Sequence, residues 1–217
     1  PKVHNGHEYV DLGLSVKWAT CNVGANKPEE YGDYFAWGEV APKSDYSEDN
    51  YKWGYIEYIY DEDGVPLARQ LICIKYNSAV DDILEKEDDA ASVNWGEDWR
   101  MPTWEEITEM FDNCVWEIIS IFLWNGVKGY KVTSKKSGYT NNSIFLPAAG
   151  YRFESSLLYD GNEGYYWSSS LYTDDVSPYP TGVSPDSYSL NFYENFVDRY
   201  NRGDYRVAGH SVRPVCP

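Results

Sequence analysis

The last third of the chain, residues 151–217, carries the side chains best suited to noncovalent recognition. It holds ten of the 21 tyrosines of the protein and no Lys, Gln or Met. Tyrosine offers a rigid, amphipathic contact surface at a low entropic cost, while Ser, Asn and Gly adapt their hydrogen bonds to a partner. We therefore predict a binding face with aromatic anchors, on which acids select a basic or hydroxyl-rich surface. The predicted contact residues are Tyr159, Tyr172, Asp174, Asp175, Tyr193, Asn195, Asp198, Tyr200, Asn201, Asp204 and Tyr205.

The residues that could carry covalent chemistry form no recognisable catalytic pattern. The three histidines are His4, His7 and His210, and no serine lies in a Gly-x-Ser-x-Gly sequence. None of the four cysteines has the local signature of a nucleophile, and none belongs to a CxxC pair. The sequence therefore indicates a protein that is not an enzyme and uses no cofactor.

Two groups of residues have side chains that metals prefer. If strands at the two ends of the chain pair, His4 and His7 would approach His210, but their spacing puts them on opposite faces of an extended strand. Acidic clusters could offer calcium its oxygen ligands, although none has EF-hand spacing. These clusters lie at 61–63, 87–89 and 174–175. Solvated acidic turns are the simpler interpretation, and we predict no metal site.

Length and charge limit the class of protein. A chain of 217 residues, 42% of them hydrophobic, can bury one core, so we predict a single domain over 1–217. A net charge of -17 would repel a phosphate backbone, which argues against nucleic acid as a partner. The longest apolar stretch, 115–124, has about half the length of a membrane helix, so no transmembrane segment is predicted. Four free thiols and a disulfide between Cys21 and Cys216 are both compatible with the cysteine pattern.

The elements that must position these residues are mostly strands. Turn signals are frequent and helical periodicity is rare, which predicts an α+β fold of mostly antiparallel strands with long loops. Hairpins are expected over 54–76, around an Asp-Gly turn, and over 115–134, around Asn125. A buried strand is expected from about Ser143 to Leu146.

One clear helix is predicted over about 103–114. Thr103 is a good N-cap, and Glu106 completes a capping box three residues later. Apolar residues then recur on one face, which indicates that the helix packs on a sheet. Shorter turns or helices are predicted near Pro28 and over 88–93.

Alternation also predicts the orientation of an extended strand over 192–197. Phe192 and Phe196 should be buried, with Glu194 on the same face. The opposite, exposed face comprises Tyr193, Asn195 and Val197.

Several large side chains are predicted to hold the scaffold. Arg152 and Arg213 are flanked by apolar residues and are expected to pair with acids. Five tryptophans are expected in the core or at the floor of a pocket. They are Trp18, Trp37, Trp95, Trp99 and Trp167.

Six stretches follow one another in an order that suggests a family: "EYVDLGLSVKWATCNVGA", "YGDYFAWGE", "DWRMPT", "IFLPAAGYR", "GYYWSSS" and "GHSVRPV". From about His4 to its end, the chain resembles the large paralogous surface-protein family of gut and rumen Bacteroidetes and Fibrobacter. That family is related to C-type-lectin-like folds and to the variable proteins of diversity-generating retroelements. The calcium-coordinating signatures of sugar-binding C-type lectins are absent, so calcium-dependent sugar binding is not implied.

The resemblance implies an exported, cell-surface domain with a C-type-lectin-like fold, whose N- and C-terminal strands pair. It further implies that the segments after "AAGYR", about 151–209, form one variable face that binds a host or bacterial surface protein or a glycan. Two alternatives accompany this function. The same face could join subunits of a surface fibre, or the domain could be an enzyme like the formylglycine-generating enzymes, whose catalytic cysteine arrangement the chain does not show.

Two origins explain the skewed composition of the C-terminal third equally well. Randomising both adenines of an asparagine codon that ends in C yields Tyr, Asp, Asn, Ser and Gly among others, and never Lys, Gln, Met, Glu or Trp. Tyr193 and Asp198 belong to the allowed set, whereas Glu194 and Trp167 do not. An ordinary exposed β-rich face would also favour Tyr, Asp, Ser and Asn. Both origins lead to a binding face.

Overall fold

Antiparallel strands make up most of the architecture. The computed structural model describes residues 2–78, 82–96, 98–120, 124–173, 184–200 and 203–217. The first half contains β1 (Lys2–His4), β2 (His7–Val10), β3 (Lys17–Ala19), β4 (Gly54–Tyr60), β5 (Pro66–Cys73), α1 (Ala90–Trp95) and α2 (Trp104–Asn113). The second half contains β6 (Cys114–Ile119), β7 (Gly129–Ser134), β8 (Ser143–Pro147), β9 (Tyr151–Phe153), β10 (Ser156–Leu158), β11 (Gly164–Leu171), β12 (Asp186–Phe192), β13 (Val197–Asp198), β14 (Asp204–Tyr205) and β15 (Val215–Cys216). The predicted α+β class is confirmed.

The two ends of the chain meet in one sheet with the order β1-β2-β3-β15. Strand β15 runs antiparallel to β3, with Val215 opposite Trp18. Both side chains are buried in the largest core cluster, together with the apolar face of α2. The predicted pairing of N- and C-terminal strands is therefore confirmed.

Helix α2 begins and packs as its sequence predicts. The Thr103 side chain accepts a hydrogen bond from the Glu106 backbone, and the Glu106 side chain bonds the Thr103 backbone in return. Ile107, Met110 and Phe111 are buried against the central strands. Helix α1 overlaps the region predicted over 88–93 and continues to Trp95, and the chain near Pro28 forms a turn, one of the two forms predicted there.

Both predicted hairpins form, and they differ in how they are covered. Strands β6 and β7 continue into a three-stranded sheet with β8, as the predicted buried strand requires. Among the described strands, β4 and β5 pair only with each other. The outer part of the β4–β5 hairpin is exposed on both faces, with apolar side chains such as Tyr58 and Leu67 open to solvent.

The prediction of one extended strand over 192–197 is wrong. Strand β12 ends at Phe192, and the chain turns back so that β13 pairs with β12, with Val197 opposite Phe192. The Tyr193 N–H donates to the Phe196 carbonyl across this turn. Phe192 is buried as predicted, but Phe196 is 57% exposed, because the reversal places it on the outside. Glu194, in the turn, is exposed as well.

The buried tryptophans are confirmed, and the roles predicted for two arginines are not. Trp18, Trp37, Trp99 and Trp167 are buried, and Trp95 is partly buried. Fully buried Arg213 donates to the Asn22 amide oxygen and the Ala19 carbonyl rather than to an acid. Arg152 lies over the Tyr34 ring at 5.2 Å, and neither arginine forms an ion pair with the described residues.

The acidic cluster 87–89 is not a solvated turn. Asp88 is buried and accepts hydrogen bonds from the Lys75 ammonium at 2.5 Å and the Tyr76 hydroxyl at 2.8 Å. Buried Asp89 caps α1 by accepting from the backbone of Ala91 and Ser92. By contrast, Asp61 accepts only backbone N–H groups of its own exposed turn. All four cysteines are free thiols.

None of the helices in the described ranges has the length and apolar character needed to cross a membrane.

Candidate functional site

An aromatic cleft of about 300 Å³ opens on the C-terminal third of the chain. It is lined by Tyr151, Phe153, Tyr165, Tyr193, Asp204, Tyr205, Ala208 and His210. Small-molecule sites start at about this volume. The aromatic cleft therefore has room for one side chain or one small ring rather than for a large ligand.

Four segments converge to build the aromatic cleft. Strand β11 pairs with β12, which places Tyr165 opposite Asn191, and β14 pairs with β12, which places Asp204 opposite Ser187. Strand β9 joins them through paired backbone hydrogen bonds between Arg152 and Gly209. Because the walls come from paired strands, the geometry of the aromatic cleft is set by the backbone.

A glycine permits the close approach of two of these strands. A Cβ on Gly164 would lie 2.1 Å from the ring of Phe192, its partner across the β11–β12 pair. Since no larger residue fits there, the start of β11 requires glycine. The following residue, Tyr165, is the one that enters the aromatic cleft.

The floor of the aromatic cleft is an imidazole stacked on an indole. The His210 ring lies parallel to the Trp167 ring, with centroids 3.9 Å apart. The backbone of His210 pairs with Phe35, whose carbonyl also accepts from the indole N–H of Trp167. His210 is only 1% exposed. These contacts hold the imidazole in one orientation.

His210 is neutral at pH 7 and carries an unused polar atom. Burial lowers the pKa of His210 to about 4, although the negative charge of Asp204 acts in the opposite direction. Its Nδ1 has no hydrogen-bond partner within the part of the chain that the structure describes. That nitrogen lies 4.0 Å from Oδ2 of Asp204. A buried polar atom without a partner is destabilising, and a bound group could satisfy it.

Asp204 supplies the carboxylate of the aromatic cleft. Its Oδ2 accepts hydrogen bonds from the Ser189 hydroxyl and, at 2.7 Å, from the Asn191 amide. Both donors project from β12. The Asp204 side chain is 25% exposed, so it is fixed in place and still reachable from the aromatic cleft.

The tyrosines form a row of contacting rings across the aromatic cleft. The Tyr151 and Tyr165 rings meet edge to face at 4.8 Å, and Tyr165 meets Tyr193 at 6.2 Å. Exposed rings extend the row at both ends, Tyr159 beside Tyr151 and Phe196 beside Tyr193. Burial raises the pKa of Tyr151, Tyr165 and Tyr193, so these phenols are neutral at physiological pH.

The predicted contact residues divide into four groups. Tyr193, Asp204 and Tyr205 line the aromatic cleft, and Tyr159 lies at its rim. Tyr172 is buried against Tyr188 and so does not face a ligand. Three others lie outside the aromatic cleft: Asn195, Asp198 and Tyr200. Asp174, Asp175 and Asn201 lie outside the described residues.

Sequence reasoning missed Tyr151, Tyr165 and His210. All three belong to stretches that the sequence analysis used to suggest a family, and none was among the contact residues predicted there. Every residue of β11 is buried, so alternation gives no sign that Tyr165 lines an opening. The one available signal was the presence of these residues in the tyrosine-rich third of the chain.

Two other hollows are less developed. An open groove of about 710 Å³ contains Asp33, Lys43 and Arg152, and Lys43 is already paired with Glu39. A smaller hollow of about 350 Å³ contains His7, whose ring stacks on Trp95. Neither combines a rigid floor with an unpartnered polar atom as the aromatic cleft does.

The histidines are arranged differently from the sequence prediction. His4 and His7 lie opposite each other across the β1–β2 turn, so they share a face instead of lying on opposite faces. Both contact Trp99, while His210 lies on Trp167. Among the described residues, no group of three or more His, Cys, Asp or Glu side chains is arranged to hold a metal ion.

No family model matches this sequence, and comparison with curated proteins and with solved structures finds no match either.

Proposed function

We propose that the protein is a non-enzymatic, exported bacterial module for ligand binding or adhesion, which contacts a protein or glycan through its C-terminal face. The aromatic cleft is the centre of that face. The observation that carries the proposal is the preformed floor, where stacked His210 presents an unpartnered Nδ1 beside the fixed carboxylate of Asp204. The exported location rests on the family resemblance.

The physical character of the aromatic cleft supports recognition. Rings already held by their neighbours lose little entropy when a ligand arrives, and such preorganisation increases affinity. Tyrosines that are partly buried and partly accessible are typical of the residues that dominate binding energy. Tyr151 and Tyr193 are both of this kind.

The composition of the lining supports a function without catalysis. The described lining residues include no serine, threonine, cysteine or lysine, which are common hydroxyl, thiol and amine nucleophiles. With a pKa near 4, His210 is a poor general base at neutral pH, because an effective base has a pKa close to the working pH.

An array of glycans and host proteins, probed with and without calcium, tests the proposal. We compare the unaltered protein with a variant carrying Tyr151→Ala and Tyr193→Ala, and with a matched control carrying Tyr58→Ala and Tyr60→Ala on the β4–β5 hairpin. A specific signal should disappear in the first variant and persist in the control. Circular dichroism establishes that both variants are folded. A signal that survives the loss of both cleft tyrosines would overturn the proposal.

A second function, assembly of subunits into a surface structure, is favoured by a different observation. The β4–β5 hairpin has two strands and exposes Tyr60, Val65 and Leu67, each more than half accessible. Exposed apolar strands with open edges are templates for pairing with another chain. Sedimentation velocity over a range of concentrations tests this function. Assembly that is abolished by Leu67→Ser would support it, and a monomer at all concentrations would contradict it.

A further inference from the structure

We infer that the aromatic cleft binds an N–H-bearing organic cation, either a protonated alkylamine or a guanidinium, as found at the end of a Lys or Arg side chain. This inference rests on the proposed function and names the chemistry of the group that the face receives.

The charge of the lining favours a cation. Among the described residues of the lining, Asp204 is the one carboxylate, and none is a lysine or an arginine. A second acid, Glu163, lies just outside and accepts the hydroxyl hydrogen of Tyr165. His210 contributes no positive charge at pH 7, since burial keeps its pKa near 4. An anionic ligand would meet an uncompensated negative charge here, while a cation would neutralise it.

The rings provide a second attraction of the same sign. Tyr151, Tyr165 and Tyr193 adjoin one another around the opening, with centroids 4.8 and 6.2 Å apart in successive pairs. The face of an aromatic ring is negative, and a cation within about 6 Å of its centroid is attracted. Three adjoining rings beside a carboxylate therefore form a partial cage for a positive group.

The two acceptors at the floor select cations that carry N–H groups. Oδ2 of Asp204 and Nδ1 of His210 are 4.0 Å apart, too far for a hydrogen bond with each other. One nitrogen placed beside the line that joins these two atoms can lie about 2.9 Å from both, which is normal hydrogen-bond distance. A neutral imidazole nitrogen is able to accept such a bond. A quaternary ammonium has no N–H and would leave Nδ1 of His210 unpartnered.

The volume of about 300 Å³ limits the ligand to the end of one side chain or a small free amine. Both sources share the chemistry, and probes can separate them. N-acetyl-lysine methylamide and N-acetyl-arginine methylamide represent protein side chains, and n-butylamine represents a free amine. N-acetyl-norleucine methylamide is the neutral control, because it has the four side-chain carbons of lysine and lacks the charged nitrogen. Tetramethylammonium is a cation without N–H.

Titrations of ¹⁵N-labelled protein followed by NMR measure binding of each probe. We expect shifts in the aromatic cleft with lysine, arginine or butylamine probes, weaker shifts with tetramethylammonium and none with the norleucine probe. Asp204→Asn keeps an oxygen acceptor for Asn191 and removes the charge, so it should weaken cation binding by at least about tenfold. Asp112→Asn, at an exposed side chain outside the lining, is the charge-matched control and should bind as the unaltered protein does.

Binding of the norleucine probe as strong as that of the lysine probe would overturn the inference, and so would the absence of any response to the cations. The probe comparison on the unaltered protein stands even if Asp204→Asn does not fold. Failure of the cation inference can be distinguished from failure of the proposed function. A natural ligand from the array that requires Tyr151 and Tyr193 but binds equally to Asp204→Asn would refute the cation and leave the binding face in place.

Discussion

The aromatic cleft and the β4–β5 hairpin are both rich in tyrosine, yet only one of them has the properties of a site. In the aromatic cleft, the rings rest on a second layer that includes Trp167 and His210. In the hairpin, Tyr55, Tyr58 and Tyr60 are each about half exposed, and no third strand of the described chain pairs with β4 or β5. Both regions share their residue type, and the aromatic cleft differs by a backing layer that fixes its rings and acceptor atoms.

The hairpin is held mainly at its base. Leu71 is buried in a core cluster, and Arg69 forms an exposed ion pair with Glu48 at 3.0 Å. A two-stranded ribbon is marginally stable by itself. The outer hairpin therefore contributes exposed apolar surface with little stability of its own, and the same kind of substitution should change stability far less there than in the aromatic cleft.

The largest expected difference comes from removing one aromatic ring from each region. Trp167→Ala removes the buried ring beneath His210 and should lower the free energy of unfolding by about 3–5 kcal/mol. Tyr58→Ala in the hairpin should change it by no more than about 0.5 kcal/mol, because that ring is exposed. Urea denaturation of both variants measures the difference. Equal losses in the two variants would show that the backing layer is not what separates the regions.

A pH titration tests how well the floor of the aromatic cleft is sealed from water. The folded protein holds the pKa of His210 near 4, below the ordinary value of 6.5, so the unfolded chain binds a proton more readily. Between pH 7 and pH 4 this group should reduce the free energy of unfolding as pH falls, by up to about 3 kcal/mol.

The control for this titration is His210→Phe, which keeps a ring on Trp167 and has no proton to gain. Denaturation at several pH values should show the stability of the unaltered protein falling relative to that of the variant as the solution becomes acidic. Parallel curves for the two proteins would mean that water reaches His210.

The smallest expected effect concerns two glycines with similar backbones. Gly150 and Gly64 both have a positive φ, of 63° and 78°, so alanine introduces comparable backbone strain at each. A Cβ at Gly150 would lie 2.1 Å from the Leu158 carbonyl oxygen, whereas Gly64 at the hairpin turn has open space. Gly150→Ala should therefore be less stable than Gly64→Ala by about 1–3 kcal/mol. Thermal unfolding ranks the two variants, and equal melting temperatures would contradict the prediction.

Short sequence patterns correctly predicted the elements that are determined by residues close together in the chain. The capping box at Thr103 and Glu106 fixes the start of α2, and an Asp-Gly turn fixes the β4–β5 hairpin. The reversal after Phe192 was missed because the alternation of Phe192 with Phe196 is the same in a straight strand and in a tight turn. Its cause is pairing of β13 with β12, a tertiary contact that no local pattern contains.

The candidate site was predicted in part, and the missing part has a common cause. Tyr193 and Asp204 stand in exposed-looking sequence and were predicted. Tyr165 and His210 lie in segments whose residues are buried. They line the aromatic cleft because packing of the neighbouring segments leaves a gap beside them. A gap is a property of packing between distant segments, so the sequence gives no sign of it. The same holds for buried Asp88, whose partner Lys75 is 13 residues away.

The pairing of β15 with β3 has a consequence for synthesis of the protein. Val215 and Trp18 close the largest core cluster, and they stand almost the full length of the chain apart. Contacts of such long sequence separation form slowly, because a long loop must close first. On the ribosome, β1 to β3 must wait for β15 to emerge before their core face is covered. The nascent chain thus exposes apolar surface until β15 is available, and a chaperone that holds it during that interval should increase the yield of folded protein.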